Sequence, residues 1–216
     1  MLDLDGDAVL FDLDGTLVDS SASVGRAWDL AAAELGVPVS EFVPYMHGIP
    51  ATQVFAVVVP ALPPDHARGL ADRMNAAQAV DTEGVKPMPG AAEALAALPA
   101  SRWAIVTSGD HRLATARIAA ARLPLPTVLV TLDDVRVGKP DPEGYLAAAA
   151  RLGFDPARCL VVEDAPAGVT AGRVAGMPVL GVLTTYPHLD ATATVPDLST
   201  VDIQARDAGI QVTLRT

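Results

Sequence analysis

The stretch from residue 8 to residue 17 constrains the fold more than any other part of the sequence. Its letters are AVLF followed by DLDGTL, so a short apolar run ends in two closely spaced acids. An apolar run without polar alternation, bounded by turn-forming residues, is typical of a strand buried on both faces of a parallel sheet. Ligands bind at the carboxyl ends of such strands, so Asp12 and Asp14 are predicted to lie there, with Leu13 pointing the other way.

Two carboxylates this close repel each other unless a cation lies between them or one of them keeps a proton. Gly15 lets the backbone turn sharply after the second acid. The pair is either an acidic loop that ends a strand, or a nucleophile and metal ligand next to a group that moves a proton. The similar letters LDLDG at residues 2–6 follow a single residue, and we expect them to form a terminal tail.

The composition limits the function classes. A chain of 216 residues, 50% hydrophobic and 19% charged, can bury a sizeable core and fits one large domain or a core with a modest insertion. The net charge of −11 argues against nucleic acid or an anionic membrane as a partner. An anionic substrate would therefore need a metal ion and a few well-placed cations.

Cys159 is the single cysteine, so no internal disulfide can form, and a reducing compartment is the simplest interpretation. Its apolar neighbours predict a packed core residue rather than a reactive thiol. The N-terminus lacks the pattern of a signal peptide, and the most apolar window, around residues 54–62, contains Pro60 and is too short to cross a bilayer. We expect a soluble, cytoplasmic protein, a monomer or weak dimer.

The region from about residue 19 to residue 84 is predicted to be helical throughout. A helix capped by Ser20 or Ser21 runs to Leu35, and two more are expected at about 51–59 and 65–79, after an irregular loop at 42–50. An all-helical stretch inside an α/β chain suggests an inserted domain.

Strands and helices alternate along the rest of the chain. Strands are predicted at 8–11, 103–107, 127–131, 159–163 and 179–182, and helices at 91–98, 110–121, 141–152 and 167–175. This order favours a doubly wound parallel sheet with right-handed crossovers. Residues 201–205 and 210–214 alternate apolar and polar, which predicts an antiparallel hairpin at the sheet edge.

Three later segments end strands or loops with groups that suit phosphate chemistry. Thr107, Ser108 and Gly109 offer hydroxyls and backbone N–H groups, although Thr-Ser-Gly is also ordinary turn composition. Lys139 is one of two lysines among 15 basic residues, which suggests a specific role rather than a solvated loop position. Glu163 and Asp164 offer hard oxygen ligands suited to Mg²⁺, or else a simple acidic helix start.

These four segments, in this order, resemble motifs I to IV of the haloacid dehalogenase-like (HAD) phosphohydrolases, with Asp12–Ser20 as motif I. The resemblance extends over nearly the whole chain, including Gly168–Gly172 and Ala175–Met177. It implies a Mg²⁺-dependent phosphatase in which Asp12 takes up the phosphoryl group and Asp14 moves the proton.

The same resemblance implies roles for the other motif residues. Thr107, Ser108 and Gly109 would bind the phosphate, and Lys139 would orient and neutralise it. Asp12, the backbone carbonyl of Asp14, Asp164 and Glu163, the last directly or through water, would bind the metal.

The helical insertion resembles the C1 cap of this family. Residues 19–85 would form the cap, and 1–18 with 86–216 the catalytic core, with hinges near 17–18 and 84–88. The cap-loop residues His47, Ile49, Pro50 and Phe42 are expected to face the leaving group, and His47 and Gly48 to bind the substrate. His47 is also consistent with an exposed loop histidine.

Three local patterns resemble the sugar-phosphate and polyol-phosphate phosphatases, among them the glycerol-3-phosphate and 2-deoxyglucose-6-phosphate phosphatases. They lie at residues 47–52, 103–109 and 163–168. A small sugar phosphate or polyol phosphate is therefore the expected partner.

Three other classes remain to be weighed. A dehalogenase is disfavoured because that branch lacks the second acid, Asp14. A β-phosphoglucomutase shares all four motifs, but its cap histidine and arginine have no match at 21–24 or 47–52. A phospho-accepting receiver domain also combines acids, a hydroxyl residue and a Lys-Pro pair, but it is much shorter and lacks the insertion.

Overall fold

The computed structural model describes residues 3–206 and 209–214. Its strands are β1 (Asp3–Gly6), β2 (Ala8–Phe11), β3 (Val18–Asp19), β4 (Lys86–Pro87), β5 (Trp103–Val106), β6 (Leu129–Val130), β7 (Cys159–Glu163), β8 (Val179–Val182), β9 (Ala193–Val195), β10 (Val201–Arg206) and β11 (Gly209–Leu214). Its helices are α1 (Ser21–Leu35), α2 (Ala51–Val58), α3 (Pro64–Val80), α4 (Ala91–Ala96), α5 (His111–Ala120), α6 (Glu143–Leu152) and α7 (Pro166–Val174). Within these residues, no helix has both the length and the apolar character needed to cross a bilayer.

The main sheet has six strands in the order β6-β5-β2-β7-β8-β9, and every neighbouring pair is parallel. This confirms the predicted doubly wound parallel sheet. β2 lies between β5 and β7. The next strands of this sheet along the chain, β5 and β6, lie on one side of β2, and the later strands, β7 to β9, lie on the other. The carboxyl ends of β5, β2 and β7 therefore meet at the position where such sheets bind ligands.

The sheet is covered on both faces, which explains why β2 is apolar throughout. Val9 and Phe11 pack with side chains of α4 and α5. Ala8 and Leu10 pack on the other face with α6 and α7. Cys159 belongs to this second cluster and is fully buried, and burial raises the pKa of its thiol to about 11. The predicted role of Cys159 as a core residue is confirmed.

The helical insertion has a hydrophobic core of its own, formed by residues of α1, α2 and α3 and the loop between α1 and α2. At its centre the ring of Trp28 stacks on Phe42 with centroids 5.1 Å apart, and Phe55 meets Trp28 edge-on at 5.5 Å. The all-helical cap is confirmed. It joins the sheet domain through the short antiparallel pair β3–β4. The prediction of helices throughout residues 19–84 missed this pair.

The C-terminal hairpin is confirmed as an antiparallel pair, β10 with β11. Part of its predicted turn, residues 207–208, lies outside the described residues. Its predicted place was wrong, because β11 pairs with β1 in a separate three-stranded sheet, and β9 forms the edge of the main sheet instead.

The predicted terminal tail was also wrong for the described residues 3–6, which form β1; Leu2 lies outside them. β1 pairs with β11, and Leu4 packs against the core cluster that contains Val212. The physical reason is that β11 has a second edge with free backbone groups, and an alternating segment such as β1 can pair with that edge.

Candidate active site

The side chains predicted at the strand ends converge on Lys139. The Phe11 to Val162 register of β2 and β7 brings Asp12 next to Glu163, and the Asp12 amide donates to the carbonyl of Val162 at 2.9 Å. Lys139, in the loop before α6, donates from Nζ to Asp12 Oδ1, to Glu163 Oε1 at 2.7 Å and to the carbonyl of Val106 at 3.1 Å. The expected convergence of Asp12 and Lys139 is therefore present in the fold.

Burial and the neighbouring charges both shift the pKa values of this cluster. Burial alone lowers the pKa of Lys139, but the charges of Asp12 and Glu163 outweigh it and raise the pKa above its usual range. Burial raises the pKa of Asp12 well above its ordinary value, against the attraction of Lys139, and Glu163 and Asp164 add to the increase. One ammonium thus faces three buried carboxylates, which leaves a local excess of negative charge.

Glu163 uses both oxygens to hold its neighbours. Oε1 accepts from Lys139 Nζ and from the hydroxyl of Tyr145 at 2.9 Å. Oε2 accepts from the backbone amides of Asp164 and Ala165 at 3.0 and 3.1 Å. Each oxygen already has two donors, so this carboxylate fixes the position of Lys139 and is poorly available as a direct metal ligand.

Asp164 has the free acceptor that a cation needs. One ligand atom each of Asp12, Glu163 and Asp164 lies within 4.8 Å of the others. Asp164 is 2% exposed, and its Oδ2 has no hydrogen-bond partner among the described residues. Burial, reinforced by the charge of Glu163, raises the pKa of Asp164 to about 7. A buried carboxylate oxygen without a donor fits a hard divalent cation such as Mg²⁺.

The segment after β5 lies beside this cluster. Thr107 is buried, and its hydroxyl accepts from the amide of Gly109 at 3.1 Å. Ser108 Oγ donates to the carbonyl of Gly48 in the helical insertion at 3.3 Å. All three residues of the predicted phosphate segment line the same cavity as Asp12 and Asp14.

Asp14 occupies a different environment from Asp12. Its Oδ1 accepts from Ser20 Oγ at 2.7 Å, and its Oδ2 accepts from Arg117 Nη1 at 2.5 Å. The Asp14 side chain is 23% exposed and lies outside the acidic group of Asp12, Glu163 and Asp164. The Ser20 side chain makes no capping bond to α1 and serves Asp14 instead.

A cavity of about 320 Å³ lies between the cap and the sheet domain, and His47, Gly48, Ile49 and Pro50 line it. Phe42 does not face the cavity as expected, because its side chain is fully buried in the cap core beside Trp28. Burial lowers the pKa of His47, with Arg117 adding to the decrease and Asp14 opposing it, so the neutral imidazole is favoured. Gly48 has φ of +86°, and a Cβ there would overlap the Cβ of Ala165. The loop approaches the sheet domain this closely because Gly48 has no side chain.

Sequence reasoning missed three polar residues of the site: Tyr145, Arg117 and Gln78. Arg117 is 4% exposed and donates from Nη2 to Gln78 Oε1 at 2.6 Å. A signal for it was present, because Arg117 falls on the face of α5 that also carries Leu113 and Ala114, where an arginine needs a buried partner. Tyr145 falls similarly on the buried face of α6.

The family model of the haloacid dehalogenase-like hydrolases matches residues 7–176 of the sequence. The chain belongs to this family. It is 41% identical to hexitol phosphatase A of Escherichia coli (strain K12) over 196 residues, which cover 90% of this chain and 88% of that protein. It is 33% identical to 2-deoxyglucose-6-phosphate phosphatase 1 of Saccharomyces cerevisiae over 207 residues, covering 86% and 83%.

Among solved structures, a hydrolase from Pseudomonas syringae superimposes with a TM-score of 0.80 at 28% identity, covering 89% of this chain and 94% of that one. The resemblance read from motifs I to IV is thereby confirmed. This haloacid dehalogenase-like hydrolase acts on phosphoric monoesters.

A substitution of Gly168, at the start of α7, tests whether the Glu163 carboxylate holds Lys139 in position. A Cβ on Gly168 would overlap Oε1 and Oε2 of Glu163, so Gly168→Ala must displace that carboxylate from Lys139 and Tyr145. A displacement of this kind lowers catalysis by about 100-fold, which we expect in the rate of phosphate release.

Gly25→Ala is the matched control, because nothing lies within 4 Å of a Cβ on Gly25 of α1. It should keep full activity and gain about 1 kcal/mol of stability in thermal unfolding. Equal activity of the two variants, with both folded by circular dichroism, would contradict the supporting role of Glu163.

Proposed function

We propose that this hydrolase is a Mg²⁺-dependent phosphatase of small sugar phosphates or polyol phosphates that works through an aspartyl-phosphate. The observation that carries the proposal is the buried contact of Lys139 with Asp12 next to the unpartnered oxygen of Asp164. The names of the similar proteins, hexitol phosphatase A and 2-deoxyglucose-6-phosphate phosphatase 1, support the substrate class.

In the first step a carboxylate oxygen of Asp12 attacks phosphorus, and the bond from phosphorus to the alcohol oxygen breaks. Asp14 gives its proton to that oxygen, so the leaving group departs as an alcohol rather than an alkoxide. Lys139 offsets the negative charge of the nucleophile and of the phosphoryl oxygens. Thr107, Ser108 and Gly109 bind those oxygens through hydroxyl and N–H groups.

In the second step Asp14, now a carboxylate, takes a proton from a water molecule. The resulting hydroxide oxygen bonds to phosphorus, the bond from Asp12 to phosphorus breaks, and inorganic phosphate leaves. Mg²⁺ held by Asp12, the Asp14 backbone carbonyl and Asp164 would supply positive charge that stabilises the phosphoryl oxygens in both steps. Glu163 contributes by fixing Lys139, or to the metal through water.

The cap, residues 19–85, would exclude bulk water from the core, residues 1–18 and 86–216, during the first step. Several polar contacts cross the boundary next to the site, among them Ser108 Oγ to the Gly48 carbonyl and Gln53 Nε2 to the Lys139 carbonyl at 3.4 Å. The β3–β4 ribbon joins the two parts at the expected hinge positions near 17–18 and 84–88.

The cavity supports a small polar substrate. Its volume of about 320 Å³ lies at the lower end of ligand pockets. α3 contributes Asp72 and Asn75 to the lining, which are groups that form hydrogen bonds with hydroxyls.

A β-phosphoglucomutase is the alternative, and it needs a cap cation for a second phosphate. Among the described residues, Arg68 is the one arginine or lysine that the cap adds to the cavity lining, and it lies in α3, not at positions 21–24 or 47–52 where the mutase carries its cap histidine and arginine. Hydrolysis is therefore favoured. A receiver domain is disfavoured by the family match over residues 7–176.

The nucleophile is tested with Asp12→Asn. The wild-type protein should release inorganic phosphate steadily from at least one member of a panel of hexitol phosphates, 2-deoxyglucose 6-phosphate and glycerol phosphates. Asp12→Asn should lower that rate by more than about 1,000-fold, because an amide cannot form the phosphoenzyme. Comparable phosphate release by the variant would exclude Asp12 as the nucleophile.

Magnesium binding is tested without any substrate. Mg²⁺ at about 100 times its dissociation constant should stabilise the wild-type protein by about 2.7 kcal/mol in thermal unfolding. Asp164→Asn should lose this effect, while Asp29→Asn, at an exposed position of α1, should retain it. A Mg²⁺-induced stabilisation that survives in Asp164→Asn places the ion elsewhere. In the wild type, EDTA should stop phosphate release and Mg²⁺ restore it.

The cap loop is tested with His47→Ala. A hydrogen bond from a half-buried imidazole to a substrate hydroxyl is worth about 1 kcal/mol, so the ratio of kcat/KM between two panel members should change by about fivefold. His66→Ala, in α3 and bonded to Glu34, is the control and should leave the ratios unchanged. If His47→Ala also leaves them unchanged, the loop does not select the leaving group.

A further inference from the structure

The guanidinium of Arg117 lies where the cap meets the core. Its Nη1 donates to Asp14 Oδ2 at 2.5 Å, and its Nη2 donates to Gln78 Oε1 at 2.6 Å. Arg117 belongs to α5 of the core, whereas Gln78 belongs to α3 of the cap. One buried cation therefore connects the second acid of motif I to a cap helix.

Gln78 is held in the orientation that this contact needs. Its side chain is buried, and its amide Nε2 donates to the carbonyl of Met74 one turn earlier in α3 at 3.3 Å. The amide oxygen is thereby directed to Arg117. The position of that oxygen follows the position of α3, and thus of the cap.

Asp14 is held from two sides. Ser20, directly before α1, donates to Oδ1, and Arg117 donates to Oδ2. One holding group therefore lies at the start of the cap, and the other is bonded to the cap through Gln78. A movement of the cap relative to the core would change both contacts of the carboxylate.

Arginine suits this position better than other cations. Its planar fork donates in two directions at once, whereas a lysine ammonium is a point charge on a flexible stem and cannot span both acceptors in a fixed geometry. Arg117 Nε has no hydrogen-bond partner among the described residues. The guanidinium thus depends on Asp14 and Gln78 for its orientation.

We propose that Arg117 is a positioning residue that orients the Asp14 carboxylate for proton transfer, and that its bond to Gln78 makes this orientation depend on closure of the cap. The role rests on the proposed phosphatase function, in which Asp14 protonates the leaving alcohol. Arg117 itself touches neither phosphorus nor the nucleophile Asp12 in the contacts described above.

The experiment compares two esters that differ in their need for an acid. The first is the panel ester that the wild-type protein hydrolyses fastest, and its sugar or polyol must leave as an alcohol. The second, p-nitrophenyl phosphate, releases a stable anion without a proton. The variants are Arg117→Met, Arg117→Lys and Gln78→Leu, with Arg112→Met as control, since Arg112 is exposed on the same helix and outside the cavity lining. All are checked for folding by circular dichroism and thermal unfolding.

With the panel ester, Arg117→Met should lower kcat by about 100-fold and Gln78→Leu by about 10-fold, with KM changed by less than about threefold. The kcat of Arg117→Lys should lie between the values of the wild type and of Arg117→Met. The single-turnover release of p-nitrophenolate should stay within about threefold of wild type in all variants. Arg112→Met should behave as wild type with both esters.

A double-mutant cycle tests the connection to the cap. If Gln78 acts through Arg117, Gln78→Leu should have no further effect in the Arg117→Met background. Independent, multiplicative losses would overturn the coupling.

Other results would overturn the positioning role. Equal losses with both esters would make Arg117 a general structural or phosphate-binding residue, and a rise in KM alone would make it a substrate contact. Unchanged kcat in the Arg117 variants would remove the role while leaving the proposed function intact. Failure of the wild-type protein to release phosphate from every member of the panel would remove the proposed function, and the role of Arg117 with it.

Discussion

The contact of the Lys139 ammonium with Asp12 and Glu163 is the interaction on which the site depends. These carboxylates are buried in the interior of the protein, where an unpaired charge costs several kcal/mol. Lys139 offsets part of that cost, and Tyr145 and two backbone amides complete the hydrogen bonds of Glu163. Asp164 adds a further buried carboxylate that this single cation does not balance, so either a bound cation or a proton must neutralise the remaining charge.

The sheet explains how residues far apart in sequence reach one ammonium. β2 lies between β5 and β7, and all three strands are parallel, so their carboxyl ends deliver Asp12, Thr107 and Glu163 side by side. Apolar packing on both faces of β2 leaves these ends little freedom to move. The cap has a separate hydrophobic core, and it adds the second wall of the cavity.

Sequence reasoning found the residues whose position follows from local pattern. Asp12, Lys139 and Asp164 stand at the ends of apolar runs or in unusual loop contexts, and topology then brings them together. β9 was missed because it has three residues and no buried alternation of its own, and β1 because its partner, β11, lies at the other end of the chain. Tyr145, Arg117 and Gln78 depend on which helix faces meet, and local sequence carries little information about such long-range packing.

Leu13 has a part in separating the two acids of motif I. It is fully buried in the core cluster under α4 and α5, so it anchors the backbone between Asp12 and Asp14. Asp12 is thereby directed to Lys139 and the acidic cluster, while Asp14 is directed to Ser20 and Arg117 at the cap boundary. In the proposed mechanism the nucleophile must be ionised to attack and the acid must exchange protons, so the two need different surroundings. One buried leucine lets two acids that are two residues apart occupy such different surroundings.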